Sequence, residues 1–292
     1  VLPAAADSVG PPTGSVGEPI PDPAPVPFRP LQFRELLDLP FGLIQARLKT
    51  LMALAGVAAA IAALLTIGVT VLVAAVTGDS DAGTFWGALL GGLLCAWAMR
   101  MFVRGVTIPI VLAAVHGQSP MSWRGALNRL GTHAGPLLAY SIVFTLVALG
   151  VLALGTPLMI TLPLAGVWLA WLRGRRFTTA VVIFEESAPY RVAAARAKLL
   201  ASGSEWQTVG LWLYHRFLLA VVIALPLFTL WSFISSIFGT HRWSVTIVLI
   251  CLAMAVLAFG EVVESATRTV SYIDRRCRRE GWDIAVPVEG VR

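Results

Sequence analysis

Charged residues are scarce. They make up only 13% of a 292-residue chain, whereas soluble domains carry close to a quarter, and that shortage excludes a water-soluble fold. Cysteine is scarcer still: Cys95 and Cys251 sit inside apolar runs and Cys277 in a basic tail, which excludes a disulfide framework or a CxxC metal site. Four histidines, His116, His133, His215 and His241, are spread along the chain without ligand spacing. No metal or cofactor is therefore expected. Lysine is almost missing, with Lys49 and Lys198 the only two among 22 basic residues, and with the excess of Ala, Gly and Val this points to a high-GC bacterial genome. GxxxxGK[ST], HExxH, GxSxG and GxGxxG are all absent. Phosphate-loop, zincin, elbow-serine and dinucleotide chemistry thus have no support, and the chain is not expected to be an enzyme.

What is present is apolar. Hydrophobic residues reach 57% and the mean hydropathy is +0.80, as in an all-α polytopic membrane protein. The net charge of +6 comes from basic residues at the ends of apolar runs, which is how positive-inside orientation shows itself. No aromatic-basic module accompanies it, so nucleic acid is not an expected partner.

Residues 1–29 hold eight prolines and few large apolar groups, the composition of a disordered cytoplasmic tail. From Pro30, Phe33, Leu36 and Leu37 recur at helical spacing while Arg34, Glu35 and Asp38 face elsewhere, as in an interfacial helix that Pro40 should bend or end. The membrane domain is expected over 30–283, with spans near 51–77, 84–104, 136–154, 157–176, 207–238 and 243–264 and a short tail over 284–292. Gly87, Gly91 and Cys95 form a small-residue face on the second span that admits a close neighbour. The charge-free run between Arg129 and Arg173 would be roughly 65 Å as one helix, twice a membrane, so it must fold back. With six spans the termini share one side. Fourteen basic residues would face that side and Arg242 alone the other, which places both termini in the cytoplasm of a bacterial inner membrane.

Three segments begin alike: Pro30-Leu-Gln-Phe, Pro120-Met-Ser-Trp and Pro189-Tyr-Arg-Val. Each precedes two apolar runs, and each pair of runs ends in Arg followed three residues later by Thr or Ser, at Arg104, Arg175 and Arg268. The reading is three hairpin repeats with amphipathic interfacial helices, whose exit helices gather in a cytoplasmic helical collar. A roughly 30 Å crossing counted from Thr84, Thr156 and Trp243 ends near Arg104, Arg176 and Glu264.

The candidate site follows from that depth. Glu261 and Glu264 are the only carboxylates placed against a span, and intramembrane carboxylates mark function by default. Arg100, Arg104, Arg173, Arg175, Arg176 and Arg268 share their level, and Arg216 completes the basic set. Arg275, Arg276, Arg278 and Arg279 form a basic run suited to an anionic lipid surface.

The segment Arg29 to Asp38, RPLQFRELLD, together with Glu185-Glu186-Ser-Ala-Pro before a basic helix and six spans, resembles actinobacterial proteins related to the membrane domain of glycerophosphoryl diester phosphodiesterase. The likeness covers about residues 29–283. It implies the membrane fold alone, because hydrolysis in such enzymes belongs to a separate soluble domain. The expected function is a non-catalytic scaffold or accessory subunit of the bacterial cell envelope, with the lipid bilayer, an anionic phospholipid and a membrane-protein partner as contacts. The alternative is a small transporter or lipid-handling protein that uses the Glu and Arg charges at the inner interface.

Overall fold

The computed structural model describes residues 29–156, 161–238 and 242–281. The expected tails up to residue 28 and from 282 onward lie outside the described residues, as do the turn at 157–160 and the loop at 239–241. All regular structure among the described residues is helical: α1 (Phe33–Ala46), α2 (Leu48–Val76), α3 (Asp81–Val115), α4 (Trp123–Gly155), α5 (Leu162–Arg175), α6 (Thr179–Glu185), α7 (Tyr190–Ala201), α8 (Glu205–Leu219), α9 (Leu225–Phe238) and α10 (Arg242–Glu280). Five helical segments are long and apolar enough to cross a membrane: α2, α3, α4, the α8–α9 run and α10. The fourth expected span, 157–176, is described as α5 alone. Its 14 residues reach about 21 Å, short of the roughly 30 Å hydrocarbon core.

α2 and α3 form a packed hairpin. The turn uses Gly78 and Asp79 at positive φ, and Ser80 then caps α3 by accepting from the Gly83 N–H at 3.0 Å. Gly87 and Gly91 let the two helices close, since a methyl group on Gly87 would stand 3.2 Å from the Thr70 Cα and one on Gly91 would stand 2.9 Å from Val69 Cγ1. At the other end of α3, Gly105 admits α4 in the same way.

Two helices run on past their prolines. Pro40 lies inside α1 and does not end it. An internal proline costs about 3 kcal/mol, and burial of Leu36, Leu43 and Ile44 in a helix that packs mainly against α10 offsets it. Likewise the helix begun after Pro120 does not stop before the next span: α4 runs unbroken from Trp123 through Pro136. The third hairpin also departs from expectation. α10 packs on α1, α2, α3 and α8, while α9 packs mainly on the π turn Ala220–Ala224 that precedes it. Pro226 has no N–H to offer the carbonyl four residues back, and the wide turn just before it is where the helix adjusts. Leu225, Phe228, Leu230 and Phe233 consequently face outward.

Below the spans the exit helices bury one another. Residues 103–115 of α3, 177–184 around α6 and 260–275 of α10 are buried without interruption, with α1 packed on α10 and α7 on α6. Each fully buried Val, Leu, Ile or Phe there contributes about 1.5–3 kcal/mol. The segment before α1 is clamped to this collar at Leu31: its N–H donates to Asp274 Oδ1 at 2.7 Å, and Arg278 donates to that carboxylate at 2.9 Å and to the Leu31 carbonyl. The rest of the basic run is also engaged by protein. Arg275 is buried and donates to Thr208, Arg279 donates to the Ser202 carbonyl, and Arg276 pairs with Glu280 at 3.0 Å. The run therefore anchors α10 to α1, α7 and α8.

The contact between Glu185 and His116 makes the collar sensitive to acid. Glu185 lies 3.1 Å from His116 Nε2, and that hydrogen bond together with the imidazole charge holds its carboxyl below the ordinary value of 4.5. A carboxylate with a depressed folded value adds stability that is present above its unfolded pKa and lost as pH falls through the folded one. Glu185→Gln should therefore remove about 1 kcal/mol or less at pH 7, as befits a part-exposed pair, and nothing at a pH well below the depressed folded value, with the difference shrinking progressively as pH falls from 4.5. Melting curves of both proteins at pH 7 and across that acid range check this.

Candidate functional site

Glu261 and Glu264 are one helical step of three apart on α10, so both carboxylates face the same neighbours. Glu261 is 0% exposed and Glu264 4%. From α3, Arg100 Nε and Arg104 Nε each reach Glu261 at 2.8 Å, and Arg100 extends its second group to 3.6 Å from Glu264. Glu264 also receives Arg173 from α5, Arg268 from its own helix one turn on, and Arg216 from α8 at 2.6 Å. Four helices are thus tied at one level. Of the expected cluster, Arg100, Arg104, Arg173, Glu261, Glu264 and Arg268 come together, and Arg216 joins them.

Arg175 and Arg176 do not. A residue two places along a helix points about 200° away, so Arg173 facing α10 turns Arg175 outward. There its guanidinium lies over the Trp171 ring at 4.4 Å.

Removing an ion from water costs several kcal/mol even after the protein relaxes, and aromatic faces recover part of that for the guanidinium groups. Arg104 lies over Tyr140 at 5.8 Å, Arg173 over Trp212 at 4.8 Å and Arg268 over Phe177 at 5.2 Å. The charges nevertheless do not balance. Five arginines meet two glutamates, leaving a surplus of three positive charges in a largely buried place. Arg268, only 1% exposed, has no hydrogen-bond partner on Nε or Nη1, and Arg173 has none on Nε.

These groups form one end of a cleft. Between α3 and α4 runs an opening of about 780 Å³ with Arg100, Arg104, Arg173 and Arg268 at its polar end, a size in the usual range for small-molecule sites. Tyr140, Ser141 and Thr145 add hydroxyl groups from α4, and Trp97 Nε1 donates to Thr145 Oγ1 at 3.0 Å across the cleft. Its other end is walled by Leu90, Leu93, Leu94, Leu149 and Leu152. From Leu90 to Arg104 the wall is about 21 Å long, somewhat more than the roughly 15 Å of one leaflet's hydrocarbon. The cleft is neither a continuous polar path nor a packed apolar centre. It is amphipathic, apolar along most of its length and cationic at one end.

In the sequence the α4 residues are marked only by Tyr140, the one tyrosine in the charge-free run between Arg129 and Arg173. The histidines are dispersed: His215 is buried with Nδ1 2.9 Å from the Leu211 carbonyl, and His133 lies 3.3 Å from Ser187. Among the described residues no group of three or more His, Cys, Asp or Glu is placed to hold a metal ion. Compared with family models, curated proteins and solved structures, the chain matches none.

Proposed function

We propose that this chain is a lipid-handling membrane protein that holds one anionic amphiphile, an acidic phospholipid in build, in the α3–α4 cleft. Its head would lie against Arg100, Arg104, Arg173 and Arg268, and its hydrocarbon against the leucines above them. The observation that carries this reading is a cluster with a surplus of three positive charges, four of whose five arginines, Arg100, Arg104, Arg173 and Arg268, line the end of an apolar-walled cleft. Buried cations are tolerated when paired, and a phosphate group supplies the missing pair to arginine better than any neutral ligand. The same polar groups gather at one end only, which supports holding an amphiphile over passing an ion across the membrane. A scaffold or accessory role is compatible with lipid binding and draws on the collar, but it gives no account of the surplus charge.

The finer placement belongs to the same proposal. Six spans in three repeats are proposed from the apolar runs and the repeated Pro and Arg positions, a bacterial inner membrane from the composition, and both termini in the cytoplasm from the positive-inside count; the arginine end then lies in the cytoplasmic leaflet. The likeness to the glycerophosphoryl diester phosphodiesterase membrane domain is proposed for the membrane part alone.

Thermal unfolding in mild detergent tests the binding. A ligand at about a hundred times its Kd stabilises by about 2.7 kcal/mol, or about 5–10 °C for a chain of this size. Phosphatidylglycerol should raise the melting temperature by that amount, phosphatidylcholine with the same chains should not, and Arg104→Gln should lose most of the difference. Equal shifts with both lipids would remove the electrostatic basis of the proposal.

A further inference from the structure

A second cationic pocket lies on the far side of α5 from the cleft. It occupies about 240 Å³ between α5 and α7 and is lined by Leu172, Arg175, Arg176, Ala194, Ala195 and Lys198. Three of these six residues are cationic and none is acidic. None of the three forms an ion pair among the described residues, and the acidic groups nearest in sequence are engaged elsewhere. Glu186 accepts from Arg196 at 3.3 Å and from Tyr272 at 3.0 Å, and Glu205 accepts from the Gly203 N–H at 2.9 Å. Arg175 is held in place by its stacking on Trp171, and its buried Nε has no hydrogen-bond partner. Ala194 and Ala195 are short enough to leave the space between the cations open.

The setting of the pocket indicates its ligand. α7 turns Val192 and Leu199 outward at 55% and 67% exposure, and Trp168, one turn before Leu172 on α5, and Trp206 at the start of α8 are exposed too. Apolar side chains that share a helix surface with Arg191 and Lys198 are the mark of a helix lying at headgroup level, where Trp also concentrates. Basic pockets between helices at that level take phosphate-bearing headgroups.

We infer that Arg175, Arg176 and Lys198 form a binding site for a phosphate diester or monoester group, supplied by the headgroup of an anionic phospholipid in the adjoining leaflet. The site is separate from the α3–α4 cleft and does not depend on its occupancy. Its bound lipid would seat α7 on the membrane surface.

Native mass spectrometry of the full chain, titrated with phosphatidylglycerol, counts the sites. The wild type should hold two lipids in its strongest binding steps. Arg176→Gln with Lys198→Gln should lose one of them, with at least tenfold weaker binding of that lipid, and keep the one that Arg104→Gln removes. The charge-preserving pair Arg176→Lys with Lys198→Arg should retain both, which separates charge from damage to the fold. Phosphatidylcholine should not fill the pocket. Inorganic phosphate added in place of phosphatidylcholine should neither displace the second lipid nor raise the melting temperature. An unchanged lipid count in the Gln pair would overturn the site, as would loss of lipid in the charge-preserving pair. Stabilisation by inorganic phosphate that the Gln pair abolishes would overturn the lipid as its source.

Discussion

Replacing Glu264 with glutamine is expected to lower the melting temperature of the detergent-solubilised protein by about 10 °C. Arg173, Arg216 and Arg268 all bond this one carboxylate, with Arg100 at 3.6 Å. Taking away one member of a buried ion pair costs about 3–5 kcal/mol, because the partner is left charged in a place poor in water. Here several partners are left at once, and the surplus of positive charge rises from three to four. At about 2–4 °C per kcal/mol for a chain of this size, a fall near 10 °C follows. Glu261→Gln should cost less, since Arg100 and Arg104 are its only bonded partners among the described residues and Arg100 keeps its contact with Glu264. Equal melting temperatures for the wild type and both variants would show that the cluster does not hold the four helices together.

The second large effect concerns binding without stability. Ala148 lines the cleft from α4, and Ala148→Phe should fill its apolar part and abolish most of the melting shift produced by phosphatidylglycerol, an apparent affinity loss of at least tenfold. Enlarging a side chain costs about 1–3 kcal/mol where packing is already tight, but the new ring here enters open space. The lipid-free melting temperature should therefore change by less than about 2 °C. Leu146→Phe on the outward face of α4, 62% exposed, should alter neither quantity. A full lipid-induced shift in Ala148→Phe would place the amphiphile elsewhere.

Much of this architecture was legible from the residues. Long charge-free runs dictate helices because no water is present in a bilayer core to satisfy open backbone groups, and α2, α3 and α10 follow the expected spans. Glu264 and Arg268, four apart, had to meet on any helix, and the common depth of Arg100, Arg104 and Glu261 placed them at one level. The small-residue face at Gly87 and Gly91 likewise became the close contact with α2. What could not be read depended on rotation and tertiary packing. Arg173, Arg175 and Arg176 share a depth but not a face, and only the position of α10 decides which one enters the cluster. Pro40 and Pro136 carry local signals for a break that the surrounding packing overrides. The outward swing of apolar side chains on α9 has no signature in composition, because lipid-facing and helix-facing leucines look the same in a sequence. The cleft itself is a space between α3 and α4, so Ser141, Thr145 and Ala148 gain their meaning only from what stands opposite.

The central claim is that the arginine surplus is matched by a bound anionic amphiphile. Lipid extracted from protein purified in mild detergent, identified and counted by mass spectrometry, tests it most directly. The wild type should carry at least one acidic phospholipid per chain, enriched well above its share of the source membrane, and the double variant Arg100→Gln with Arg104→Gln should carry correspondingly less. Lipid recovered in the same proportions as the bulk membrane, and unchanged in the double variant, would contradict it.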